Sequence, residues 1–187
     1  MEQLKTAIRK FIDATEIELL GFTSRCEKQK FRKKELIYEP HSRPNFTFFI
    51  TRGMVRYFIT DMDGTEHTIH FSIENEFAGD YASMLENRIS YTSIQALEPL
   101  EIIKIPKTTI EWGYRNMRYG DRLGRRIAEN YFTLMDRRIQ DIYLRSTKQR
   151  YQYISESFPN IHNRVPQHMI ASYLGITAVH LSRLRGQ

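Results

Sequence analysis

The apolar residues of this chain change period partway along, and that change demands two kinds of structure. Between Phe46 and Ile105 they recur at alternate positions, in Phe46–Ile50, Val55-Tyr57-Ile59, Ile69-Phe71, Thr92-Ile94-Ala96 and Leu100-Ile102-Ile103-Ile105. β-Branched and aromatic types dominate these runs, as suits a pleated surface. Gly53 separates the first two runs, Asp61-Met62-Asp63-Gly64 the next two, and Glu98-Pro99 the last two, all of them turn signals. Many short strands with frequent turns predict an antiparallel barrel or jelly roll. Ahead of it, Leu4, Ile8, Phe11 and Ile12 sit at helical spacing. Asp13, three positions before Glu16, reads as a capping-box start for a second short helix carrying Ile17, Leu19 and Leu20.

After Pro106 the period is helical. Leu123, Ile127, Tyr131, Leu134, Ile139 and Ile142 trace one stripe, with Arg125, Arg126, Glu129, Asp136 and Arg137 opposite, and the next proline is Pro159. Such a stripe either packs on the barrel or forms a seam between two chains, and the sequence leaves both readings open. The expected fold is α+β in three parts: a sensor domain over residues 1–110, a long helix over 111–145, and a helical tail over 146–187.

With a net charge of +6, a polyanionic partner is favoured but not established. The lone cysteine, Cys26, rules out an internal disulfide framework and any multi-cysteine zinc or iron–sulfur site, and fits a reducing compartment. Charges interrupt every apolar stretch near the N-terminus, and nowhere does an apolar run reach membrane-spanning length. The expected location is therefore the cytoplasm.

The sharpest motif lies between Arg164 and Gln187. A helix-turn-helix needs a small residue where its helices cross, which Ala171 supplies, and a residue tolerating positive φ at the turn, which Gly175 supplies. Ile170, Leu174, Ile176, Leu181 and Leu184 fall where the two helices face each other. Thr177 suits the N-cap of the second helix, and Val165-Pro166 leads into the first. In such motifs the second helix enters the major groove. Its outward residues here include His180, Ser182, Arg183 and Arg185. Arg183 is the candidate base reader, because a guanidinium can bond guanine O6 and N7 together. Thr177, His180 and Ser182 are candidates for phosphate or base contacts, and Arg164 for a phosphate contact.

The order of these parts resembles the Crp/Fnr (cyclic-AMP receptor protein) family across essentially the whole chain. The matching pieces are Phe48-Phe49-Ile50-Thr51-Arg52-Gly53-Met54-Val55-Arg56-Tyr57, Asp63-Gly64-Thr65-Glu66, Phe77-Ala78-Gly79-Asp80-Tyr81, Ala96-Leu97-Glu98, the long helix, and Arg164-Val165-Pro166 with Leu174-Gly175-Ile176-Thr177. The resemblance implies a cyclic-nucleotide-binding-type jelly roll, a homodimer formed along the long helix, and binding to an inverted repeat in double-stranded DNA. It also implies a small-molecule effector and, for an activator, contact with RNA polymerase, for which no residue pattern stands out. In nucleotide-binding members a Gly-Glu pair opens the phosphate cassette and an Arg-Ser pair follows it. Here Gly79-Asp80 replaces the first pair, and Ser90-Tyr91 stands where the second belongs, with Arg88 two positions away. Without its arginine, burying a phosphate anion is costly, so the pocket is expected to be degenerate. Family turn glycines are also missing, with Lys34 and His41 near those positions. The two-stranded wing that usually follows the recognition helix is not seen after Arg185.

Other classes fare less well. A cupin-type metalloenzyme places two histidines two apart on one strand, whereas His67 and His70 are three apart and point to opposite faces. Cys26, His41, His67 and His70 match haem ligands in type only. No residue pattern calls for a catalytic constellation or a cofactor, so an enzyme is not expected. The remaining alternative is a jelly-roll dimer whose helical tail binds protein instead of DNA.

Overall fold

The computed structural model describes residues 1–185, and the side chains of all but the last of them. Two helices open the chain, α1 (Glu2–Phe11) and α2 (Glu16–Thr23). The capping box of α2 sits at Thr15 and Glu18, not at Asp13 and Glu16. The reason is electrostatic: the Glu16 carboxylate is drawn to Lys5 and Arg9 of α1, at 2.5 Å each, so Glu18 is left to close the box.

Eight strands follow: β1 (Glu27–Phe31), β2 (Leu36–Tyr38), β3 (Phe46–Arg52), β4 (Val55–Thr60), β5 (Glu66–Ser72), β6 (Phe77–Ala78), β7 (Ser93–Ala96) and β8 (Leu100–Pro106), with helix α3 (Tyr81–Leu85) between β6 and β7. They form two antiparallel four-stranded sheets, ordered β1-β8-β3-β6 and β2-β7-β4-β5, which make the jelly roll. Tyr38, Phe48, Ile50, Tyr57, Ile94 and Ile102 fill the space between the sheets. Phe49, Ile103 and Ile105 point the other way and meet Leu4, Ile8, Leu19 and Phe22 of the first two helices. Because both faces of this sheet are covered, the strict alternation breaks into the doublets Phe48-Phe49 and Ile102-Ile103. Lys34 and His41 hold φ values of 75° and 62°. The left-handed turns survive without glycine there, at the steric cost an L side chain carries in that region.

The expected helix over residues 111–145 is two helices, α4 (Lys107–Asn116) and α5 (Gly120–Leu144). They cross backbone to backbone: a Cβ at Gly120 would lie 2.1 Å from the Gly113 carbonyl oxygen. The apolar stripe of α5 is likewise divided. Leu123 is buried and Ile127 packs on the barrel core, while Leu134 turns toward the tail. A different line, Ala128, Phe132, Met135, Ile139 and Ile142, steps by four and three, and its Phe132 and Ile139 are 73% and 58% exposed.

The tail comprises α6 (Thr147–Ser157), α7 (Ile161–Arg164), α8 (Gln167–Leu174) and α9 (Ala178–Arg185). It folds back onto the roll. Phe158, Ile161, Val165 and Leu174 share one buried cluster with Met54, Phe71 and Leu97 of the barrel, and full burial of a side chain such as Phe71 is worth about 1.5–3 kcal/mol. Polar contacts fix the register. Ser172 Oγ accepts from the Thr68 N–H at 2.9 Å, and Arg138 of α5 stacks on Tyr173 and donates to its carbonyl at 2.8 Å. Arg164 donates to Glu74 at 2.7 Å and to Glu98 at 3.0 Å, and Glu74 also accepts from the Gly53 N–H at 2.8 Å. Burial works to raise the pKa of Glu74, but Arg164 and the Gly53 N–H outweigh it and hold the carboxyl below its ordinary range.

Arg164→Ala is expected to lower stability by about 1.5–3 kcal/mol, the worth of hydrogen bonds between charged groups, and to expose the Arg145–Ser146 connector to protease. Because the Glu74 pKa is depressed on folding, its contribution is full above the unfolded carboxylate pKa and fades as pH falls through the lower folded value. Limited proteolysis followed against pH checks both; docking unaffected by the substitution would show the ion pairs to be incidental.

Candidate effector pocket and nucleic-acid interface

Gly79 has φ of +139°, and a Cβ there would stand 3.2 Å from the Thr47 Cα and 3.3 Å from the Tyr38 hydroxyl. Glycine is therefore needed for both backbone angle and close approach. Its N–H donates to the Tyr57 hydroxyl at 3.1 Å. Asp80 is the N-cap of α3: one carboxylate oxygen accepts from the Ser83 N–H at 3.1 Å, and the other accepts from the Ser90 hydroxyl at 2.6 Å. Ser90 is fully buried and its oxygen also accepts from the Thr92 N–H at 3.0 Å. Gly79, Asp80 and Ser90 thus come together, but each is engaged by the chain itself.

Arg88 and Tyr91 do not join them. The Arg88 guanidinium pairs with Glu86 at 2.6 Å in solvent, and Tyr91 is 62% exposed with its ring edge against His41. The interior beside the cassette is aromatic. Tyr38 stacks edge-on against Phe46 at 4.9 Å and Phe48 at 6.2 Å, and its hydroxyl donates to the Phe46 carbonyl. Burial pushes the phenols of Tyr38 and Tyr57 well above their ordinary pKa, so neither offers charge. An anion entering here would face the Asp80 carboxylate with Arg88 turned away, an unfavourable exchange for its hydration.

A cavity of about 400 Å³ adjoins the cassette, walled on the roll side by Thr47, Tyr57, Ala78 and Gly79 and on the other by Leu85, Ile110, Tyr114, Ile127 and Phe132 of α3, α4 and α5. Its walls are apolar, with the paired hydroxyls of Tyr81 and Tyr114, 3.0 Å apart, among the few polar groups. Periodicity could not reveal it, because it exists only where three helices fail to close on one another and on the roll.

In the tail, Ala171 is 2% exposed at the crossing of α8 and α9, and Ile170, Leu174 and Leu181 are buried beside it. Gly175 closes α8 in the left-handed conformation, φ +68°. Thr177 caps α9 by accepting the His180 N–H at 3.2 Å. Thr177, Ala178, Val179, His180, Ser182 and Arg183 all face solvent. The Arg185 side chain lies outside the described residues. Arg164 stands apart from this surface, its guanidinium turned to the barrel and held by Glu74 and Glu98; as placed, it is not offered to a phosphate. His67 and His70 point apart, the first exposed beside Asp61 and the second buried.

Residues 28–115 match the cyclic nucleotide-binding domain family. No match is found among curated proteins. Among solved structures, FixK2 from Bradyrhizobium japonicum aligns over 87% of this chain and 83% of its own, with 13% identity and a TM-score of 0.75. A protein described as a transcriptional regulator of the Crp/Fnr family from Eubacterium rectale aligns over 91% and 81%, with 16% identity and a TM-score of 0.71. The c-di-GMP responsive global regulator CLP from Xanthomonas campestris aligns over 92% and 90%, with 10% identity and a TM-score of 0.69. No helix among the described residues is long and apolar enough to cross a membrane. Residues 28–115 thus match the cyclic nucleotide-binding domain family, and over nearly its whole length the chain has the fold seen in these solved Crp/Fnr-type structures.

Proposed function

We propose that this protein is an effector-responsive transcription regulator that binds an inverted-repeat operator as a homodimer. The observation that carries the reading is α9: its inner residue Leu181 is fully buried, while Thr177, His180, Ser182 and Arg183 present an uninterrupted outward face. Arg183 reads a base, and Thr177, His180 and Ser182 contact bases or phosphates. The dimer forms along Ala128, Phe132, Met135, Ile139 and Ile142, whose four-and-three spacing is that of a two-stranded seam. Of the seam expected through Leu123, Ile127, Tyr131, Leu134 and Ile142 it keeps only Ile142, since Leu123 and Ile127 are spent on the barrel and Leu134 on the tail.

The effector is a small apolar molecule and not a cyclic nucleotide. Asp80 and Ser90 are already bonded to each other, whereas the open cavity is apolar and shares Ala128, Phe132 and Met135 with the seam. A ligand there touches the residues that set dimer geometry, and one that favours the DNA-competent arrangement would shift the population toward it.

Three outcomes are expected. Charged substitutions, Phe132→Asp or Ile139→Asp, should give monomers in sedimentation, and a wild type already monomeric at micromolar concentration would refute the seam. Calorimetric titration with cyclic AMP should show no sub-millimolar binding; such binding would mean that Arg88 or another cation replaces the missing one. Selection from a random duplex pool at moderate salt should recover a palindrome with half-sites about 34 Å apart. Arg183→Ala should then cost about 1–3 kcal/mol and relax one position per half-site. Recovery of no palindrome would leave the tail as a protein-binding element.

A further inference from the structure

A second, much smaller cavity of about 70 Å³ lies where the barrel, the long helix and the tail meet. His70 of β5, Arg137, Arg138 and Asp141 of α5, Arg150 of α6 and Tyr173 of α8 are among its walls. Two features set it apart from a packing defect. The first is polar. Among the described residues three buried side-chain nitrogen or oxygen atoms lack a hydrogen-bond partner, and two of them, His70 Nδ1 and Arg150 Nε, belong to this lining. His70 is only 5% exposed. Native interiors pair almost all such groups, so two orphans around one cavity call for an occupant.

The second feature is charge. Three arginines line the space against one carboxylate, Asp141, and that carboxylate is already paired with Arg145 at 2.7 Å. Arg138 spends hydrogen bonding on the neutral Tyr173 carbonyl. Burial, and with it the like charge of Arg150, hold the Arg138 pKa below its ordinary value against partial compensation from Tyr173 and Asp141. Burial and the Arg138 charge also push His70 down to about 3, so its ring is neutral and can present Nδ1–H as a donor. Water can satisfy an orphan donor, but it cannot balance two guanidinium charges. A small oxyanion does both, accepting from Arg150 Nε and His70 Nδ1 while facing Arg138.

We propose that this junction is a binding site for a small oxyanion of phosphate or carboxylate type, distinct from the apolar effector cavity. The proposal does not depend on the DNA-binding reading. Because its donors come from β5, α5 and α6, with α8 closing the wall, a bound anion ties the tail to the roll and stabilises the docked arrangement by mass action.

The test uses the whole chain and inorganic phosphate as the probe, at constant ionic strength maintained with chloride. Phosphate should raise the thermal midpoint of the wild type saturably, and calorimetry should give a single site per chain. Arg150→Lys keeps the charge but removes the Nε donor, and should weaken binding by about tenfold or more, the worth of one charge-assisted hydrogen bond. Arg138→Gln should weaken it further. Arg183→Ala alters only the exposed recognition helix and should leave binding unchanged. Should Arg138→Gln fail to fold, Arg150→Lys and His70→Asn carry the comparison with calorimetry alone. Absence of saturable phosphate or acetate binding to the wild type would overturn the proposal, as would equal binding by wild type and Arg150→Lys, or loss of binding in Arg183→Ala.

Discussion

Helix α5 has a limited circumference, and every other part of the protein takes a share of it. Near its start Leu123 and Ile127 close the core formed by the first two helices and the outer face of the barrel sheet. Farther along, Leu134 and Arg138 turn to the tail, Arg138 stacking on Tyr173 of α8. What remains, from Ala128 through Phe132 and Ile139 to Ile142, is left uncovered. An exposed apolar line of that length on a helix otherwise rich in arginine is a contact surface in waiting. The glycine crossing of α4 and α5 makes this partition possible, because it lets α5 lie close enough to α4 to bury its first turns.

The segment from Gly79 to Ser90 is held together by the chain's own hydrogen bonds. Gly79 retains the backbone that only glycine supports, and Asp80 retains the N-cap of α3. The other carboxylate oxygen of Asp80 is held by Ser90, and aromatic rings occupy the space beside it. Tyr57 links this region to the rest: its hydroxyl takes the Gly79 N–H, and its ring lies 5.4 Å from His70, which in turn touches Tyr131 of α5 and Phe158 of the tail. The cassette segment, the long helix and the tail thus meet through one packed group of rings.

Docking of the tail combines an apolar cluster with a few charged contacts, and the two do different work. Phe71, Leu97, Phe158 and Leu174 supply area removed from water. Arg164, with its two carboxylates, supplies registry, since a guanidinium bridging Glu74 and Glu98 tolerates little sliding.

Much of this was legible in the residues alone. Alternation from Phe46 to Ile105 and turn residues between the runs marked β3, β4, β5, β7 and β8, and Ala171, Gly175 and Thr177 marked the helix-turn-helix down to its caps, whereas β1, β2 and β6 carried no such pattern. These are local rules of backbone sterics and period, so they need no knowledge of distant chain. The residues also place Ser90-Tyr91, without an arginine, where the resemblance expects an Arg-Ser pair. Tertiary structure decided the rest. Periodicity says that a face of α5 is buried but not against what, so only the fold could assign Leu123 to the barrel and leave Phe132 exposed. It turned Arg164 from a phosphate contact into an interdomain bridge, because Glu74 and Glu98, far away in sequence, arrive beside it. It alone brought His70, Arg138 and Arg150 around one cavity, since convergence of charge from three elements is a property of packing and leaves no mark on any one of their sequences.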